Sequence, residues 1–360
     1  MSIRHNARTA IGALLAVAAL ATGACSSATG PAAVDKGEGT FSVDEVRKAT
    51  NDRVTSPLFA VPKKRDGYTF AFLNPGLSIP TFVEWKNGMK AAAEFYGGVT
   101  LVETDLALDY PKSASAFETI AVRNPTIVGT GAGAGTPGLL EAVRKNNMKP
   151  LLIDQEPAAD KFDWFGVNNV DVGRIGAEAL VKKAKERVAG DWAGADVVYL
   201  GASVANCPPC DARVRKGGEV VKQELGLKDD KLQYLSPADG SAAAEEAAIT
   251  DFLTAHPNSK VVALGYGDGG AVGALNALNK AGRLKDGLVV SLGGDPSGRA
   301  ALRDRAMRDT FVGAVDFNPY AQGWNWVEAA IALQQGKPFE AYQVERFLTY
   351  DNVNMLYPND

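Results

Sequence analysis

Histidine is almost missing from this 360-residue chain: the two present are His5, near the start, and His256, in "TAHP". A histidine-dependent catalytic triad or a zinc centre has nothing to assemble from, so no metal is expected. Basic excess is missing too, with 38 Lys and Arg against 42 Asp and Glu and a formal charge of -4. No cationic stripe is available to neutralise phosphates, which argues against a nucleic-acid partner. The one long apolar run, near the N-terminus, falls short of the ~20 residues that span a bilayer comfortably. Cysteine occurs three times, as Cys25, Cys207 and Cys210. With 46% hydrophobic and 22% charged residues, neither disorder nor a polytopic membrane protein is suggested.

What is present begins with an address. "MSIRHNART" carries two arginines and leads into "AIGALLAVAALATGAC", an apolar run followed by small residues and a cysteine; residues 1–24 read as a processed export signal. "TGAC" resembles a bacterial lipoprotein cleavage box, with Thr22 where such boxes usually carry Leu. The resemblance implies cutting before Cys25 and diacylation of its sulfur; plain secretion is the alternative. Residues 25–66, including "SSATGPAAVDKGEGT", are rich in Ser, Ala, Gly, Pro and charge. They read as a flexible tether.

From Tyr68 onward, short β-rich runs such as "YTFAFLN", "VTLVETD", "PTIVGTG", "KVVALGYG" and "GLVVSLGGD" alternate with helical stretches. The first helix follows Pro80 and repeats apolar residues at Phe82, Trp85, Met89, Ala93 and Tyr96. Trp85, Trp324 and Trp326 read as helix core. Roughly four strand-helix units precede Asn168 and five follow, which predicts an α/β protein of two doubly wound parallel-sheet lobes. In such sheets ligands gather at the carboxyl ends of strands. Those ends are polar here: Asn74, Thr130, Asp154 with Gln155, Asn168 with Asn169, Asp268, Asp295, and Asp316 with Asn318. Two facing surfaces would supply hydrogen bonds to a hydroxyl-rich molecule.

The order and spacing of "AFLNPGLSIPTFVEWKNGMKAAAE", "KPLLIDQ", "GVNNVDVGRIGAEAL", "DARVRKGGE", "VVSLGGDPSGRAALR" and "AVDFNPYAQGWNWVEAAIALQQGKPF" resemble the ribose-type periplasmic sugar-binding proteins, the type I solute-binding proteins of ABC transporters. The likeness runs over nearly all of Tyr68 to Leu348. It implies a sugar-binding aspartate at Asp154, followed by Gln155 where the family has arginine. It places the sugar-gripping arginine at Arg215 in preference to its neighbour Arg213, and further contacts at Asp268 and Asp295. The family's hinge glutamine falls near Asp316 and Phe317. Of two phenylalanines that pack on the sugar ring only Phe82 remains, Thr81 replacing the other, so a small acyclic polyol or compact sugar is expected. The implied lobes are residues 67–167 plus 318–341 and 168–317 plus 342–360, closing about three crossings near Asn168, Phe317 and Ala341.

Three motifs carry rival readings. Cys207 and Cys210 form a CxxC ahead of a helix, as redox pairs do, but an exported chain meets an oxidising compartment, which favours a structural disulfide beside the pocket over a redox or metal site. "GAGTPG", Gly133 to Gly138, formally matches GxGxxG after a strand, with Asp154 at the spacing a dinucleotide site would use; an exported chain has no obvious supply of such a cofactor, and none is expected. Asp154 and Asp295 could in principle act as a glycosidase pair, although binding explains them as well. The expectation is therefore a lipid-anchored extracytoplasmic monomer, not an enzyme, that captures a small carbohydrate or sugar alcohol for an ABC permease. A dinucleotide-dependent oxidoreductase, a glycosidase and a chemosensor that presents bound ligand to a receptor are the alternatives.

Overall fold

The computed structural model describes residues 34–156, 162–237, 240–340 and 346–358. The expected export signal and the lipid-acceptor Cys25 lie outside these residues, as does Ala341 of the expected hinge.

In chain order, β1 (Val34–Thr40), α1 (Val43–Ala49) and β2 (Pro62–Arg65) come first. A strand-helix series follows: β3 (Tyr68–Asn74), α2 (Pro80–Tyr96), β4 (Val99–Asp105), α3 (Ser113–Ala121), β5 (Ile127–Gly131), α4 (Pro137–Lys145), β6 (Lys149–Ile153) and β7 (Asp163–Phe165). The second series is α5 (Asn169–Val188), β8 (Val197–Ala202), α6 (Pro208–Leu225), β9 (Leu232–Leu235), α7 (Ala242–Ala255), β10 (Lys260–Gly265), α8 (Asp268–Lys280), β11 (Gly287–Gly293), α9 (Pro296–Arg303) and β12 (Phe311–Asp316). Last come α10 (Pro319–Gln334), β13 (Arg346–Leu348) and α11 (Val353–Leu356).

One sheet runs β4-β3-β5-β6-β7, all parallel, and the other β9-β8-β10-β11-β12, also parallel, with β13 added antiparallel on β12. Each reverses its winding beside its first strand, so both are doubly wound. Every residue of β5 and β11 is buried, as parallel strands covered by helices on both faces must be. The chain leaves the first sheet after β7, returns through α10 after β12, and leaves again to add β13.

α10 is buried from Pro319 to Ala332, on all sides. A helix buried on every side has no solvent face, and this one, its polar Gln322, Asn325 and Glu328 included, is enclosed by α2, the first sheet and the N-terminal segment. Trp326 donates from Nε1 to the Leu151 carbonyl in β6 at 3.1 Å. Such a bond is what a buried indole requires.

The tether expected through Asp66 is corrected by this packing. β1 and β2 pair antiparallel, Ser42 and Glu45 form a reciprocal cap on α1, and Val46, Val54, Leu58 and Val61 enter the core of the first lobe. Arg53 pairs with Glu84 and lies 3.5 Å from the Tyr320 ring centre. Those four apolar residues follow no helical or strand period, yet the apolar surface they bury fixes residues 34–65 as a strap across α2 and α10.

Under that strap lies Glu328, fully buried, accepting from the Leu58 N–H at 2.7 Å, the Trp324 indole at 2.8 Å and the Tyr96 hydroxyl at 2.5 Å. Desolvation outweighs these bonds and lifts its pKa from 4.5 to about 7. The native state therefore holds this proton more tightly than the unfolded chain does. The resulting stability is fully present below pH 4.5 and is lost as pH rises through about 7. Relative to Glu328→Gln, the wild-type unfolding free energy should drop by roughly 3 kcal/mol between those limits. Denaturant melts of both proteins at several pH values check this, and parallel pH profiles would contradict it.

Candidate ligand-binding site

The carboxyl ends of the two sheets face one another across a cavity of about 400 Å³. Its wall draws on both lobes, with Phe82, Trp85 and Asp154 on the first and Arg213, Asp268 and Phe317 on the second.

Asp154 follows β6 in a left-handed conformation (φ 51°). Its Oδ1 accepts from the Val167 N–H at 2.9 Å and its Oδ2 from Gln322 Nε2 at 2.8 Å. Gln322 Oε1 in turn accepts from the Trp85 indole at 2.8 Å. Across the cavity, Arg213 Nη2 stands 3.8 Å from the same Asp154 Oδ2. Arg213 is held by Nε donating to Asn169 Oδ1 (2.7 Å), by Nη1 donating to the Tyr266 carbonyl (3.0 Å), and by the Phe317 ring, 4.6 Å from its guanidinium. Both charges are buried. Desolvation pushes the carboxyl pKa up and the guanidinium pKa down, and each partner pulls the other back towards its charged form. The second carboxylate on the wall, Asp268 at the start of α8, accepts from Ser291 Oγ and from the Asp295 N–H, both at 2.7 Å. Burial, followed by the charge of Asp295, raises its pKa well above the carboxylate range.

Of the strand-end residues named from sequence, Asp154, Asp268 and the helix-borne Phe82 line the cavity. The others are turned to structural tasks. Asn74 bonds the Phe82 carbonyl and the Gly76 N–H, holding the turn into α2. Thr130 donates to the Leu73 carbonyl. Asn168 and Asn318 cap α5 and α10 through the N–H groups of Asp171 and Ala321. Asp316 is engaged by Arg346, Tyr357 and the Asn318 N–H. Asp295 caps α9 with Oδ1, while its Oδ2 accepts from Thr81 Oγ1 of the opposite lobe at 2.8 Å.

Arg215 is a correction. It sits on the outer face of α6, paired with Asp211 at 2.6 Å and over the Tyr234 ring, so it points away from the cavity. Residues two apart in a helix fall on nearly opposite faces, which separates 213 from 215 without saying which is inside. The helical period decides, because Arg213 falls in register with buried Pro209, Cys210, Gly217 and Val221. Trp85 belongs to the core, as its helical spacing predicts, and it also contributes to the cavity wall. Gln322, Tyr110 and Tyr266 were not legible as site residues: Gln322 lies inside α10, Tyr110 lies beyond the end of β4, and Tyr266, next after β10, is an aromatic where the other strand ends carry the polar groups that drew attention.

The CxxC sulfurs are bonded to one another, with Cα atoms 5.2 Å apart, and both cysteines are buried in the wall at the start of α6. This loop meets the other lobe. At Gly133 (φ +92°) a Cβ would lie 2.9 Å from the Asn206 carbonyl, so only glycine permits so close an approach. The bond closes a very short loop, worth about 2 kcal/mol on a chain-entropy basis. Cys207→Ser/Cys210→Ser should therefore lose about that much stability and bind ligand several-fold more weakly, because Arg213 stands one turn further along α6. Chemical denaturation and titration calorimetry check this; unchanged affinity would contradict it.

The glycine loop Gly133 to Gly138 is closed to a pyrophosphate by Gln155. Its Oε1 accepts from the N–H groups of Gly133 (3.2 Å) and Gly135 (3.0 Å), and its Nε2 donates to the Gly135 carbonyl at 3.0 Å. Among the described residues, no three His, Cys, Asp or Glu are placed to hold a metal ion, and no helix is long and apolar enough to cross a membrane.

The family model of the periplasmic binding protein domain matches residues 70–338. No curated protein matches the chain. Among solved structures, an ABC transporter solute-binding protein from Mycobacterium smegmatis with bound glycerol is 19% identical, with a TM-score of 0.66 over 80% of this chain and 96% of its own. One from Bacillus halodurans with bound myo-inositol is 15% identical, with a TM-score of 0.64 over 81% and 97%. A glucose-galactose binding protein from Geobacillus stearothermophilus is 16% identical, with a TM-score of 0.65 over 80% and 99%. At these identities the likeness is one of fold.

Proposed function

Because the chain belongs to the periplasmic binding protein family, we propose that it is the extracytoplasmic solute-binding component of an ABC transporter and captures one small sugar or polyol between its lobes. The supporting observation is the Asp154–Arg213 pair, one residue from each lobe, 3.8 Å apart on the wall of one cavity. A carboxylate accepts from hydroxyls, often two at once, and a guanidinium donates to ring or hydroxyl oxygens. Aromatic faces at Phe82, Trp85 and Phe317 suit the C–H face of a sugar.

Capture works by hinge closure about the crossings near Asn168, Phe317 and Ala341, so that ligand touches both lobes only when the cleft is shut. The lobes are residues 67–167 plus 318–341 and 168–317 plus 342–360, with the strap 34–65 joined to the first. A monomer anchored through lipidated Cys25 would hold this body beside its permease. Binding without turnover agrees with the scarcity of histidine and with the engagement of the glycine-loop N–H groups by Gln155.

A thermal-shift panel of pentoses, hexoses, tetritols, pentitols and inositols tests the reading, because a ligand that binds only the native state raises the melting temperature. At least one neutral polyhydroxylated compound is expected to raise it in a concentration-dependent way, without being consumed. Stabilisation by dinucleotides or amino acids instead would overturn the proposal.

A further inference from the structure

One hydrogen bond joins the lobes with protein atoms alone. Thr81 Oγ1, in the first turn of α2, donates to Asp295 Oδ2 on the opposite lobe at 2.8 Å. Thr81 stands on the cavity wall, whereas Asp295 is buried and off that wall. The Asp154–Arg213 approach also crosses between the lobes, but both of its members line the cavity, where a solute would come between them. The Thr81–Asp295 bond can persist whatever lies inside.

Its acceptor is fixed by the second lobe. Asp295 Oδ1 accepts from the Ser297 N–H at 2.8 Å, from Ser297 Oγ at 2.6 Å and from the Gly298 N–H at 3.3 Å. The Asp295 N–H donates to Asp268 Oδ2 at 2.7 Å. All of these partners belong to α8 or α9, so Oδ2 is held towards the first lobe by contacts that closure does not have to make. The donor's helix, in turn, has no cap of its own: Ile79 stands at the N-cap position without a side-chain bond, Pro80 follows, and the first turn carries no acid. The N-terminal end of a helix favours a nearby anion, and a hydrogen bond to a charged acceptor is stronger than one between neutral groups. Asp295 thus caps α9 with one oxygen and serves the start of α2, across the cleft, with the other.

Resting on the reading of this cavity as a solute site shut by hinge motion, we infer that the Thr81–Asp295 bond is the latch of closure. Thr81 is a positioning residue that stabilises the closed state equally for every solute, and Asp295 holds the lobes together in place of binding the solute. The latch acts on release, because the bond must break before the lobes part.

Stopped-flow kinetics on wild type, Thr81→Val and Thr81→Ser, with each compound that binds in the thermal-shift panel, test this. Valine keeps the shape and removes the donor; serine keeps the donor. Thr81→Val should raise koff about tenfold, the loss expected for one hydrogen bond to a charged group, by the same factor for every compound and without lowering kon. Thr81→Ser should stay near wild type. In small-angle X-ray scattering without added solute, Thr81→Val should have the larger radius of gyration. An unchanged koff overturns the inference, as does a Thr81→Ser protein that releases as fast as Thr81→Val. A factor that differs from compound to compound overturns it too, since Thr81 would then be a solute contact. If no compound binds, the sugar-binding reading fails by itself and the scattering decides the latch: equal radii for wild type and Thr81→Val overturn it.

Discussion

Arg213→Ala is expected to weaken ligand binding by a hundredfold or more, while Arg215→Ala leaves it essentially unchanged. The two arginines are separated by a single residue, yet they face different media. Arg213 is buried with three anchors, the Asn169 side chain, the Tyr266 carbonyl and the Phe317 ring, and it is the cationic partner of Asp154 across the cavity. Truncating one member of a buried, hydrogen-bonded charge pair typically costs about 2–5 kcal/mol, because the other charge is left without its partner. About 3 kcal/mol is already a hundredfold in affinity. Arg213→Lys should recover only part of the loss, since an ammonium cannot reproduce the planar fork that serves Asn169 and Tyr266 together. Calorimetric titration with the best compound from the thermal-shift panel gives the numbers, and a melting curve for each variant separates lost binding from lost folding. Equal affinities for the two alanine variants would remove Arg213 from the site.

The largest effect on folding is expected at the seam between α2 and α10. A Cβ at Gly88 would lie 2.0 Å from the Tyr320 carbonyl oxygen, and one at Gly323 would lie 2.0 Å from the Trp85 carbonyl oxygen. The helices therefore meet backbone to backbone through a reciprocal pair of glycines, and the obstacles are main-chain atoms that no rotamer change can move. Gly88→Leu or Gly323→Leu should each cost more than about 3 kcal/mol, beyond the usual range for overpacking, because the whole of α10 must shift. α10 also carries Gln322, whose amide fixes both Trp85 and Asp154, so residual folded protein should bind ligand poorly. Circular-dichroism melts of the purified variants would show this, and a wild-type melting temperature for either would contradict the packing account.

Much of the architecture was legible because parallel strands write themselves plainly. The strands "YTFAFLN" and "VTLVETD" fall at β3 and β4 residue for residue, and the alternation of β and α runs gives two doubly wound sheets. The strap was not legible, since Val46, Val54, Leu58 and Val61 lie at irregular intervals in a segment rich in charge, and only contact with α2 and α10 gives them a reason to be buried. The polar strand ends show a different limit. Residue type says that Asn74, Thr130, Asp295 and Asp316 sit where chains turn and ligands collect, and the turning backbone itself needs partners there. Asn74 and Thr130 bond neighbouring carbonyls, and Asp295 caps α9, whereas Asp154 and Asp268 retain a face on the cavity. Choosing between 213 and 215 required only the helical period of α6, which was there to be read in Pro209, Gly217 and Val221.

The most direct measurement is a crystal structure of the protein with a neutral polyhydroxylated compound selected by thermal shift. The account predicts one molecule enclosed in the cavity, with hydroxyl oxygens within hydrogen-bond distance of Asp154 on one lobe and of Arg213 or Asp268 on the other. A molecule seated on one lobe alone, or anywhere outside this cavity, would contradict it.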